Sequence, residues 1–114
     1  MAVDQLFADV EAGLVETERE YDQLPFFVRP MVKRGFAKRT GRDFAAWRTL
    51  LADGRRGQRR QELMNALAAL AEHYGGVPDR AKRGMGASSD QLAIITQRSR
   101  ARVKAAVALR AALV

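Results

Sequence analysis

The sequence has no cysteine, a single histidine, a single tryptophan and three prolines in 114 residues. Without cysteine it can hold no disulfide, thiolate metal site, cysteine nucleophile or cysteine-ligated iron–sulfur cluster, so the redox compartment leaves no mark on it. The lone histidine, His73, has no second histidine at metal-ligand spacing. It falls near the end of an expected helix, where a cationic imidazole complements the macrodipole, and it reads as structural. Ser88, Ser89 and Ser99 have no base close in sequence. Glu11 with Glu18, and Glu16 with Glu20, stand at helical spacings, but no histidine follows in Glu-x-x-His order, which leaves a di-iron bundle unsupported. Gly84 and Gly86 form a GxG with no strand before it and no GxGxxG around it. No catalytic residue, metal ligand or cofactor is therefore expected, and the chain reads as non-catalytic on its own. No run nears the roughly 20 apolar residues of a membrane span. The opening MAVDQLFADVE lacks the basic and apolar regions of a signal peptide, so a cytoplasmic protein is expected.

Apolar residues, mostly Ala and Leu, make up 47% of the chain, enough to fold. The length fits one domain, residues 1–114, with a modest core. No strand alternation and no internal repeat is visible, and Gly and Pro cluster in a few places. The expected fold is all-α: a small bundle or irregular array of four to five helices.

Val3, Phe7, Val10, Leu14, Thr17, Tyr21 and Leu24 alternate spacings of four and three, which predicts a first helix over 4–24 with Asp4 as its cap. The stripe is heptad-like, so a homodimer through residues 1–24 is an alternative to packing within the chain. Pro25 and Pro30 cannot share one first turn; a short turn over 25–29 and a helix from Pro30 to about Arg39 is the preferred reading. Gly41 should end that helix, Asp43 cap the next over 44–52, and Gly54 lie beyond its end. A regular stripe follows over 58–74. Residues 75–88, with four glycines and Pro78, read as a mobile loop. Ser88 and Gln91 form a capping box for a last helix to about Ala112. Packing of the two terminal helices should bury Phe7, Val10 and Leu14 against Ile95, Val103 and Val107, with Glu11 and Glu18 facing Arg98 and Arg102.

Charge is segregated. The net charge is +7, yet residues 1–22 carry seven acids and one base. A basic body calls for an anionic partner or acidic protein face. Two stretches stand out as candidate sites. Arg55, Arg56, Arg59 and Arg60 crowd the start of a helix, where cations oppose the macrodipole; with Arg98 and Arg102 they are the candidate anion-binding residues, the alternative being a solvated basic turn. A nonspecific nucleic-acid binder would use them. The second stretch, Leu24–Trp47, interleaves Phe26, Phe27, Phe36, Phe44 and Trp47 with six bases. As a group these aromatics read first as core, since few other bulky residues exist; the interleaving with bases also suits a binding surface. Phe26, Phe27, Arg29, Lys33 and Arg34 are the candidate partner-binding residues.

Pro25, Phe26, Phe27, Val28 and Arg29, then Lys33 and Arg34, resemble the opening of the small helical domain at the C-terminus of the B subunit of light-independent protochlorophyllide reductase, which also occurs in standalone bacterial proteins. The similarity covers about 15 residues, with Ala37 where that family usually carries Glu. It implies a helical accessory module that covers a tetrapyrrole site or docks on a larger nitrogenase-like reductase, the cluster and the reductive chemistry belonging to other chains. From residues and resemblance together, a non-catalytic interaction module with a protein partner is expected.

Overall fold

The computed structural model describes residues 3–114. The elements in that span are α1 Val3–Asp22, α2 Arg29–Thr40, α3 Phe44–Arg55, α4 Arg60–Gly75, α5 Val77–Met85 and α6 Ser89–Leu113. The all-α class holds, and none of these helices is long and apolar enough to cross a membrane.

The local signals act as their chemistry requires. The Val28 N–H closes a turn on the Pro25 carbonyl at 2.9 Å, and α2 starts at Arg29 with Pro30 in its first turn. Gly41 takes the left-handed C-cap at φ 85°, donating to the Ala37 carbonyl. The Asp43 carboxylate accepts from Ala46 N–H at 2.8 Å, and Ser88 and Gln91 make the reciprocal capping box.

Three expectations need correction. Asp4 lies inside the first turn of α1 rather than capping it; its charge still favours that helix end. Gly54 lies inside α3 and is buried. Residues 75–88 are not one loop, because 77–85 coil as α5: Gly76 makes a bend after α4 and Pro78 sits in the new first turn, where its missing N–H costs nothing.

α4 packs on α6 and α2, α1 lies across α6 and α3, and α5 rests on α6. The core is drawn from Phe7, Val10 and Leu14 of α1, Phe36 of α2, Phe44, Trp47 and Leu50 of α3, the Leu63–Leu67–Leu70–Tyr74 stripe of α4, and Ala106 and Leu109 of α6. Phe36 and Phe44 stack at 4.2 Å between ring centres. Among the described residues, the buried side-chain polar atoms are matched except His73 Nε2. Trp47 Nε1–H donates to Thr40 Oγ1 at 3.0 Å, and that hydroxyl proton is shared between the carbonyls of Phe36 and Arg42. Thr17 Oγ1 lies 2.7 Å from the Tyr74 hydroxyl, tying α1 to α4, and burial pushes Tyr74 up to about 12.

α1 and α6 do pack together, but α6 is rotated relative to the apolar reading. Its buried positions are Ser99, Ala106 and Leu109; Val103 is half-buried, and Val107 is 53% exposed. Ser99 Oγ–H donates to the Tyr74 carbonyl, and Arg102 lies over the Tyr74 ring at 5.7 Å. The inward stripe therefore includes a serine and an arginine, which a hydropathy scan assigns to solvent. Phe7, Val10, Leu14 and Thr17 of the α1 stripe are buried within their own chain.

Gly54 marks a close approach of α3 to Leu63 and Phe7. A Cβ there would stand 2.5 Å from Leu63 Cδ2 and 3.2 Å from Phe7 Cε1, both fixed in the core. We expect Gly54→Val to lower the free energy of unfolding by about 2–3 kcal/mol in urea titrations. Deleting residues 1–22 removes Phe7, Val10 and Leu14 together, and the truncated chain should lose its cooperative thermal transition by circular dichroism.

Candidate functional site

The Pro-bracketed turn separates the aromatics into two sets. Phe36, Phe44 and Trp47 are core, as expected, but Phe26 and Phe27 are not: they are 78% and 72% exposed, edge-on to each other at 5.8 Å. Both lie in the turn between α1 and α2, outside either helix, with no neighbouring element to cover them. Met31, in the first turn of α2, is also 65% exposed. Arg29 Nε–H donates to the Leu24 carbonyl at 2.7 Å, so this side chain braces the turn. Lys33 pairs with Asp22 at 2.7 Å, and Arg34 stays exposed beside them. Phe26, Phe27, Arg29, Lys33 and Arg34 thus run from the turn into the first half of α2, and the exposed Met31 among them was passed over in the sequence reading.

The candidate anion-binding arginines do not converge; acids and carbonyls of the same chain engage them. Arg55 meets Glu11 at 2.7 Å and Asp4 at 3.4 Å. Arg56 meets Asp53, and Arg59 meets Asp53 at 3.0 Å and Glu62 at 2.6 Å. Arg60 donates to the Leu113 carbonyl. Glu62 sits in the first turn of α4, which supplies the negative charge that this helix end favours; Arg59, hydrogen-bonded to it, holds its carboxyl below the usual range. Arg59 takes φ 55°, a left-handed conformation costing a non-glycine residue about 1–3 kcal/mol, and its two carboxylate partners fix it there. Arg102 meets Glu20 at 2.8 Å and Glu16 at 3.4 Å, and Arg98 meets Glu20 at 3.5 Å. Burial opposes the Arg102 charge, and the hydrogen bond and charge of Glu20, together with Tyr74 and Glu16, more than restore it. Glu11 and Glu18, expected opposite α6, face α3 instead, where Glu18 meets Arg48 at 2.9 Å. These two pairs close the edges of a groove of about 230 Å³ whose floor is Leu14, Val15, Leu51 and Ala52.

The excess charge lies elsewhere. α2 and α5 together carry eight bases and one acid, Asp79, so they account for the whole net +7. They meet at His73. This ring is 3% exposed and edge-on to Phe36 at 5.1 Å. Arg39 Nε–H donates to His73 Nδ1 at 3.1 Å, and Arg80 Nη2 lies 3.3 Å from the same atom. Accepting at Nδ1 places the ring proton on Nε2, which is buried without a partner. Burial first, then Arg80 and Arg39, depress the imidazole to about 3. The cationic ring expected at a helix C-terminus is thus a neutral acceptor, because burial and two guanidiniums outweigh the helix dipole. Among the described residues there is no group of three or more His, Asp or Glu arranged to hold a metal ion.

Compared with known protein families, with curated proteins and with solved structures, the chain finds no match.

A neutral His73 makes stability depend on pH with a definite sign. Its folded value lies below the ordinary 6.5, so under that pH the unfolded chain takes up a proton that the folded chain refuses. The stabilisation is complete above pH 6.5 and declines as pH falls toward 3. Between pH 6 and 4 the wild type should lose about 1.4 kcal/mol per pH unit more than His73→Asn, whose carbonyl can accept from the same arginines. Parallel pH profiles of the two proteins in urea titrations would show that His73 is not buried as the neutral form.

Proposed function

We propose that the chain is a non-catalytic helical interaction module that docks on a protein partner through the turn carrying Phe26 and Phe27. The observation that carries this reading is the exposure of two adjacent phenylalanines on a turn braced by two prolines and the Arg29–Leu24 bond. A rigid aromatic pair loses little entropy when it enters a pocket, and aromatic and arginine side chains are the usual anchors of protein interfaces. Arg29, Lys33 and Arg34 on the adjoining turn of α2 would meet acidic residues, so the partner surface is an apolar pocket with an acidic rim. The resemblance of Pro25–Arg34 to the reductase domain falls on these residues and makes a nitrogenase-like reductase one candidate partner. A second reading, nonspecific nucleic-acid binding, is favoured by the net charge of α2 and α5 rather than by Arg55, Arg56 and Arg59, whose charges already have carboxylate partners.

Phe26→Ser with Phe27→Ser should leave the unfolding free energy within about 0.5 kcal/mol of wild type, because neither ring supports the core. Cross-linked complexes recovered from the source cell with wild-type bait should lose their partner, an effect of about 2 kcal/mol or more for an anchor pair. Retention of the same partner by the double variant would remove the turn as the docking site. Loss of duplex DNA binding between about 50 and 200 mM salt, with partner binding absent, would favour the second reading.

A further inference from the structure

Arg39 of α2 and Arg80 of α5 converge on a single nitrogen, His73 Nδ1, at 3.1 and 3.3 Å. Arg80 also donates to the His73 carbonyl. Neither guanidinium has a carboxylate partner among the described residues, unlike the arginines of Arg55–Arg59. Two cations so close repel at any effective dielectric. The neutral ring offsets part of this by accepting from both. The Nη donors of Arg39, and Nε and Nη1 of Arg80, find no acceptor among the described residues, although a guanidinium presents its five N–H groups as a fork fitted to an oxyanion edge. Arg39 is exposed and Arg80 half-buried, so these donors open to solvent.

The surroundings keep this arrangement in place. Gly35 and Gly76 leave the space the two guanidiniums occupy: a Cβ at Gly35 would lie 3.0 Å from Arg39 Nη2, and one at Gly76 would lie 2.6 Å from Arg80 Nη1. Tyr21, packed edge-on to Phe36, has Arg39 and Arg80 as its strongest electrostatic neighbours. The two helices add six further bases and one acid, Asp79.

We propose that Arg39 and Arg80, oriented by His73, form a site for a tetrahedral oxyanion of the phosphate class at the corner between α2 and α5. A carboxylate offers one edge to one fork, whereas a phosphate offers oxygens to both forks and a second negative charge to a doubly cationic site. This site is separate from the phenylalanine turn and does not rest on its role.

The test titrates inorganic phosphate and pyrophosphate into the full chain, with sodium chloride at matched ionic strength, and follows the arginine Nε–H resonances and the thermal midpoint. Saturable shifts at Arg39 and Arg80 are expected, weakened about tenfold or more in Arg39→Gln and Arg80→Gln. Arg56→Gln, which removes the same charge from a side chain already on Asp53, should stay within about twofold of wild type. Gly76→Ala keeps the net charge and displaces the Arg80 guanidinium, so it should weaken binding as well. Because the glutamine variants also loosen His73, the wild-type midpoint is the independent readout: phosphate should raise it where chloride does not. Sedimentation with phosphatidic acid vesicles, competed by free phosphate, would place the oxyanion on a lipid headgroup; phosphate binding without vesicle binding would place it on a soluble phosphoester. Equal effects of phosphate and chloride, or equal weakening by Arg56→Gln and Arg80→Gln, would overturn the site.

Discussion

The surface field of this fold depends on where the acids of α1 are used. That helix turns one apolar stripe into the core and carries its carboxylates along both flanks of the stripe. On one flank Glu11 and Glu18 meet Arg55 and Arg48 of α3; on the other Glu16 and Glu20 meet Arg102 and Arg98 of α6. Asp22, at its end, meets Lys33 of α2. Exposed pairs of this kind are each worth about 0–1 kcal/mol, so burial of Phe7, Val10 and Leu14, not charge, fixes α1 in place. Their larger effect is on the surface field. With the acids of α1 committed to α3 and α6, and Asp53 and Glu62 committed to Arg56 and Arg59, little negative charge is left for α2 and α5. A chain of net +7 thus presents its excess on one pair of helices instead of spreading it evenly.

What was legible in the sequence was whatever depends on near neighbours. The caps at Asp43 and Ser88, the stop at Gly41 and the turn after Pro25 need only a few residues each, and all form as their chemistry dictates. The stripes of α1 and α4 follow from periodicity. What escaped depends on partners distant in the chain. Glycine at 54 reads as a stop until Leu63 and Phe7 are seen to press on it. Arg55 reads as a free cation until Glu11, across another helix, is placed against it. Arg102 and Ser99 read as solvent-facing, although the Tyr74 ring and carbonyl draw them inward. The four glycines of 75–88 outweighed Pro78 as a start signal, which hid α5 and with it Arg80 as a neighbour of Arg39.

The candidate sites divide along the same line. Phe26 and Phe27 could be named from sequence but not distinguished from Phe36, Phe44 and Trp47, since composition does not say which aromatics a turn holds outside the core. Their exposure follows from their place: both lie in the turn over 25–28, outside α1 and α2. The Arg39–His73–Arg80 cluster carried no local pattern, because its members come from three helices.

These two surfaces sit at opposite ends of α2. The phenylalanine turn immediately precedes its first residue, and Arg39 is in its last turn. A helix of twelve residues spans about 18 Å, beyond the Debye length of about 8 Å at physiological salt. Charge changes at Arg39 therefore leave the field at Phe26 nearly unaltered, and apolar substitutions at Phe26 leave His73 packed as before. What joins them is the seat of α2 itself, through Phe36 and Thr40 on the core and Arg39 on the α4 histidine. Weakening that seat, as Phe36→Ala would, should disturb both surfaces, whereas substitutions at either end should disturb only one.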